Sequence, residues 1–260
     1  MFTLRIQINL LIIGIFLSTS CSTNSEIKNE KNESTKNLFG TIEEKIKNEE
    51  DPNCFNESCT QIKISYPTFS LSPKISRFCE KLITKQLSYY TKSSGSAAID
   101  ELTQSIFNDY YTFLEDFPES KTPWNITLLL TTTYTSEKLI CLKLTENSYT
   151  GGAHSTEMVY FKIINPEGEL LATEDWITDM DQLKIIAESE FKKKLNISKN
   201  ESFADRGFQF ENNQFQLPES IGLTASDIII YYNKYEIGTY ADGSIEIKIP
   251  IKTMDAIIAI

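Results

Sequence analysis

One histidine, His154, is all that this chain of 260 residues carries. A histidine-rich metal site and a histidine-based catalytic triad would each depend on that residue alone, so both chemistries have little support. Basic residues are scarce as well: 25 Lys and Arg stand against 36 Asp and Glu, a formal net charge of -11. Such a chain repels nucleic acid and anionic lipid surfaces and favours basic partners, although acidity also serves solubility alone. GxSxG, Walker A and GxGxxG motifs are absent. No apolar run reaches the roughly twenty residues that a membrane-spanning helix needs.

What is present begins with a leader. Arg5 supplies a positive start, and Ile6 to Leu17 is a short apolar stretch broken by Gln7, Asn9 and Gly14. Leu17-Ser18-Thr19-Ser20-Cys21 follows, with small residues just before a cysteine. This pattern resembles a lipoprotein signal peptide over residues 1–20, with Cys21 lipidated (palmitate-type acylation) as the first mature residue. The leucine stands four residues before the cysteine, where the usual motif has it three before. An ordinary cleaved signal with Cys21 incidental is the alternative. Either way export places the body in an oxidising compartment; with Cys21 lipidated it is expected in the cell envelope, anchored to a membrane and facing the periplasm or the cell surface.

Four further cysteines remain: Cys54, Cys59, Cys79 and Cys141. An even set in an exported chain reads as two disulfides, and three pairings are possible. The favoured one joins Cys54 to Cys59 as a local loop and Cys79 to Cys141 as a helix-to-strand tie. Zinc ligation is disfavoured because Cys54-x4-Cys59 has no CxxC partner. No metal and no cofactor are expected.

Residues 21–58 are mostly Ser, Asn, Glu, Lys and Thr and read as a flexible tether, with one transient helical turn near Ile42 to Ile46. The body has a globular composition, 40% hydrophobic and 11% aromatic. Gln61 to Tyr66 alternates as a strand. Ser72-Pro73 opens an amphipathic helix carrying Ile75, Cys79, Ile83 and Leu87 inward, and a second helix runs from Ala97 to about Leu114. Strands follow over Trp124–Tyr134, Lys138–Ser148 and Met158–Ile164. The second half repeats the theme: a helix from Asp179 to Leu195, short strands at Phe208–Phe210, Phe215–Leu217, Asp227–Tyr232 and Ser244–Ile249, and a last helix from Pro250. The fold class is therefore α+β, antiparallel sheets with helices packed on one face, in two similar-sized subdomains at 59–165 and 166–260.

Two short motifs carry the most information. Gly151-Gly152-Ala153-His154 lies between two strands, where glycines permit positive φ. His154 either contacts a ligand or bonds within the turn. Tyr235-Glu236-Ile237-Gly238-Thr239-Tyr240-Ala241-Asp242-Gly243 follows the Asp227 strand. Tyr235, Glu236 and Tyr240 either form a binding ridge or turn their rings inward with the hydroxyls bonded to backbone. Asp242-Gly243 reads as a turn.

In order and in strand context, the two motifs resemble the extracytoplasmic module of RsiV-like, lysozyme-sensing anti-sigma factors and the non-catalytic region of PdaC-like peptidoglycan deacetylases. Ile64-Ser65-Tyr66-Pro67, Phe161-x6-Gly168 and Ile249-Pro250 extend the likeness over residues 59–252. Gly238-Thr239 departs from the family's alanine-proline. The resemblance implies an α+β envelope module with Gly151, Gly152, His154, Tyr235, Glu236 and Tyr240 at its binding edge. Anti-sigma activity is not expected, for want of a cytoplasmic segment. Deacetylation is not expected either, since the family's catalytic domain uses an aspartate and two histidines. The leading expectation is a non-enzymatic module binding a lysozyme-like protein, peptidoglycan or another envelope protein. The competing one is a polysaccharide hydrolase using paired carboxylates such as Glu174-Asp175 or Asp179 and Asp181.

Overall fold

A computed structural model describes residues 39–52, 54, 59–92, 97–120, 122–254 and 256–259. They belong to one compact unit, Asn37–Ile260. Cys21 and the leader expected over residues 1–20 lie outside the described residues.

The larger sheet has six strands in sequence order: β1 (Ile42–Glu50), β2 (Gln61–Phe69), β3 (Asn125–Thr135), β4 (Ile140–Tyr149), β5 (Thr156–Ile164) and β6 (Leu170–Leu171). Between β2 and β3 run α1 (Pro73–Leu87) and α2 (Ile99–Asp116). These helices return the chain to the same end of the sheet, so β2 and β3 pair in parallel while the other neighbours are antiparallel. The sheet is thus mixed, although alternation along each strand suggests antiparallel pairing throughout. Pairing direction is set by the crossover, which alternation does not report.

Along β4 the two sets of alternate residues enter different cores. Ile140, Leu142 and Leu144 join Ile62, Ile64, Ile126 and Leu128 beneath α1 and α2. Cys141 faces the opposite way, with Val159, Phe161 and Ile163 of β5. This divides the expected cysteine pairs. Cys54 and Cys59 are disulfide-bonded, but Cys79 and Cys141 are both free and buried. Cys79 projects from α1 into the first core and Cys141 into the second, so the sheet stands between them. A disulfide needs Cα atoms about 4.4–6.8 Å apart with facing Cβ bonds, which opposite sheet faces do not provide.

The second core is built by α3 (Met180–Lys194) and a three-stranded antiparallel sheet, β7 (Ile221–Leu223), β8 (Asp227–Tyr232) and β9 (Ile245–Pro250). Asp179 caps α3 by accepting from the Gln182 N–H at 2.8 Å, and Lys192, Lys193 and Lys194 complement its C-terminal dipole. Ile228, Ile230 and Tyr232 pair with Ile249, Ile247 and Ile245 and share one face of the small sheet. The other face meets β5: a Cβ at Gly222 would lie 2.1 Å from the Phe161 ring. Glycine is required there by close approach, since only its missing side chain admits the ring.

Three expectations change in detail. Ile42–Glu50, read as tether, is the edge strand β1, paired along its length with β2. Its charged sequence gives no alternation to read, yet Lys and Glu suit an exposed sheet edge. Phe208, Phe210 and Phe215 are not in strands. They cluster with Phe203 and Tyr232 around Phe191, whose ring centroid lies 5.2 to 5.9 Å from all five. The last helix is a single turn at Ile251–Thr253, after which Ile258 bridges to Ile177.

Candidate functional site

Strand β5 lies beside the short β6, which covers only Ile163 and Ile164. Upstream of these, the outer edge of β5 would present unpaired backbone groups. The small sheet supplies side chains instead. The Val159 N–H donates to Asn233 Oδ1 at 2.7 Å, and Asn233 Nδ2 donates to the Val159 carbonyl at 3.0 Å. Ser220 Oγ donates to the same carbonyl at 2.9 Å and accepts from the Phe161 N–H at 3.2 Å. Asn233 and Ser220 are both buried polar residues whose groups are satisfied by this edge.

Asn233 also begins the second motif. Its N–H donates to Glu236 Oε2 at 2.8 Å, and the Glu236 N–H donates back to the Asn233 carbonyl at 3.2 Å. Partial burial pushes the Glu236 carboxyl up, while the Asn233 N–H pulls it down. Inside this turn Tyr235 takes φ +67, a left-handed conformation uncommon for a bulky residue. The turn thereby holds the Tyr235 ring out in solvent, 66% exposed. Such local strain persists where the surrounding structure fixes it, and it accompanies functional positions.

The two motifs meet in space. The His154 ring stacks on Tyr240, with centroids 4.5 Å apart and planes 18° from parallel. Tyr235 flanks Tyr240 at 5.7 Å. Lys234 Nζ lies 5.0 Å from the Tyr240 centroid and 3.0 Å from a Glu157 carboxylate oxygen. The Glu157 contact is the main reason that the Lys234 amine is held above its ordinary range. Thr239 and Asp242 lock the turn beyond: the Thr239 hydroxyl and N–H donate to Asp242 Oδ2 at 2.6 and 2.7 Å, and these bonds lower the Asp242 carboxyl. Gly151 has φ +93, and Gly151, Gly152 and His154 are all exposed in the loop between β4 and β5. Neither tyrosine ring is packed into a core, so the inward-facing alternative does not describe them.

Beside this ridge lies a groove in two connected parts. The first, 440 Å³, takes in Tyr160, Lys162, Glu219, Asn233 and Tyr235. The second, 650 Å³, continues past Tyr160 to Tyr89, Tyr90 and Glu146. Glu146 is 4% exposed. Its carboxylate accepts from the Tyr90 hydroxyl and from Gln86 Nε2. Burial pushes Glu146 up against the pull of those two donors.

One member of each acid pair that suggested hydrolysis has a local structural partner. Asp175 accepts from the Ala172 N–H at 2.7 Å, and Asp179 caps α3. Among the described residues no group of three His, Cys, Asp or Glu side chains is placed to hold a metal ion. Asn233 and Ser220 carry no motif that would single them out. Glu146 left a readable trace: it stands in phase with Ile140, Leu142 and Leu144, an acid on the inward face of its strand.

Against this geometry, residues 53–157 match the family model described as deacetylase PdaC, and residues 171–252 match that of a protein of unknown function, DUF3298. The chain carries a PdaC/DUF3298-type module. A crystal structure of a DUF3298 family member from Bacteroides fragilis superposes with a TM-score of 0.63 at 19% identity, covering 86% of this chain and 96% of that one. A DUF3298 family protein from Pseudomonas aeruginosa gives a TM-score of 0.59 at 19% identity, covering 84% and 94%. At that identity the likeness concerns the fold alone. Comparison with curated proteins gives no match. The His154–Tyr240 stack joins the PdaC-like stretch to the DUF3298-like stretch, and the Asn233 lock ties the latter to Val159, just beyond the end of the former.

Proposed function

We propose that this chain is a lipid-anchored protein of the cell envelope whose PdaC/DUF3298-type module binds a macromolecular partner without catalysing a reaction on it. The observation that carries this reading is the exposed aromatic ridge. His154, distant in sequence, stacks on Tyr240, which Tyr235 flanks, with Tyr235 held in a left-handed conformation that displays its ring. Tyrosine offers a large amphipathic contact at low cost in conformational entropy. The lipoprotein-like leader over residues 1–20, just before Cys21, supports the location. The deacetylase named by one matching family is not adopted, because the catalytic domain implied by the resemblance uses two histidines and these 260 residues hold one.

The test is retention on the immobilised, purified chain. Lysozyme, peptidoglycan sacculi and an envelope protein extract are applied at low and high salt. Specific retention of any of them supports a binding module. Absence of retention throughout, or turnover of the sacculi by the purified chain, overturns the reading.

A further inference from the structure

The groove beside the ridge has a composition that selects among partners. Its charged lining is balanced: Lys85, Lys162 and Lys234 stand against Glu146, Glu219 and Glu236. In a chain of net charge -11 such local neutrality marks a surface not shaped for a basic or an acidic ligand. Four tyrosines, Tyr89, Tyr90, Tyr160 and Tyr235, supply flat amphipathic faces along its length. Both parts fall in the roughly 300–1,000 Å³ range of ligand sites.

An extended peptide would recognise such a place by adding a strand to the free edge of β5. That route is obstructed at Val159, whose N–H and carbonyl are already bonded to Asn233 and Ser220, and at Phe161, whose N–H is already bonded to Ser220. Recognition in the groove therefore falls to side chains. Deep in its wall is Glu146, a carboxylate nine-tenths buried and oriented by Tyr90 and Gln86. A carboxylate has about four lone-pair sites, and two donors leave acceptor capacity for a ligand O–H or N–H.

From this we infer that the groove running from Tyr235 past Tyr160 to Tyr89 binds a neutral glycan chain. Sugar rings stack their C–H faces on the tyrosines, and Glu146 accepts a hydrogen bond from a hydroxyl or acetamido group. The inference rests on the reading of the module as non-catalytic and names the chemical class of its partner.

The experiment titrates the purified full chain with a tetramer of N-acetylglucosamine by calorimetry, then sizes the oligomer after prolonged incubation. The expected result is saturable binding of an unshortened oligomer, weakened at least fivefold by Tyr89→Ala and by Glu146→Gln, with the Ile185→Ala surface variant as control. Circular dichroism of each variant keeps loss of fold apart from loss of contact. Absence of binding by the folded chain, or binding unmoved by both groove variants, overturns the glycan inference. If lysozyme is still retained in that case, the binding-module reading stands without it. Shortening of the oligomer overturns the non-catalytic reading itself.

Discussion

Asn233 grips both backbone polar groups of Val159, accepting from its N–H at 2.7 Å and donating to its carbonyl at 3.0 Å. One amide side chain thereby closes the edge of the large sheet and fixes the small sheet against it. Asn233→Ala leaves the Val159 N–H buried without this acceptor, while Ser220 still serves the carbonyl. The expected cost is about 1–3 kcal/mol, read as a lowered denaturation midpoint. Asn233→Asp can accept but not donate, so it is expected to recover only part of the loss. An Ala variant as stable as the parent contradicts the edge-closing role.

Tyr235 displays its ring at the expense of backbone strain. Glycine adopts the left-handed region freely, so Tyr235→Gly is expected to stabilise the fold by roughly 1 kcal/mol, against a left-handed penalty of about 1–2 kcal/mol for an ordinary residue. The same change is expected to weaken partner retention. Thermal unfolding and retention measured on one preparation check both halves. A variant with lowered stability and unchanged retention contradicts the assignment.

The two free thiols are sealed in separate cores. Burial pushes the Cys79 thiol up to about 12 and raises Cys141 as well, so neither is a thiolate near neutral pH. Alkylation of the native chain without reductant is expected to spare both. Denaturant alone is expected to expose Cys79 and Cys141, whereas Cys54 and Cys59 need reduction first. Peptide mass spectrometry reads the result, and a Cys79–Cys141 cross-linked peptide contradicts the arrangement.

Glu146 couples the groove to stability. Burial raises its carboxyl above the ordinary 4.5, so the folded chain holds that proton more tightly than the unfolded chain does. The contribution is fully present below the unfolded value and is lost as pH rises through the higher folded value. Glu146→Gln removes this dependence while keeping a hydrogen-bonding side chain of similar shape. The stability difference, variant minus parent, is expected to grow from about pH 4.5 upward and then level off. Denaturant melts across that window check it, and a flat difference contradicts the raised carboxyl.

The sequence displays its cores more openly than its site. The apolar run within Asp227–Tyr232 coincides with β8, and Ser72-Pro73 marks the start of α1, where proline stands in the first turn with its φ already suited to a helix. The aromatic plug of Phe208, Phe210 and Phe215 was hidden because short apolar clusters look alike in strand and coil. At the site, the tyrosine motif and the GGAH motif were visible separately. Their stacking depends on how the small sheet docks on β5, through Gly222, Ser220 and Asn233. These are small or polar residues whose importance appears only when the second strand arrives.

The ridge of His154, Tyr240 and Tyr235 is tested most directly by comparing retention of lysozyme and of peptidoglycan sacculi on the parent chain and on a folded Tyr235→Ala/Tyr240→Ala double variant. The expected result is retention of at least one of these by the parent, with at least tenfold loss in the variant, about 1.4 kcal/mol. Equal retention by the two chains contradicts a binding role for the ridge.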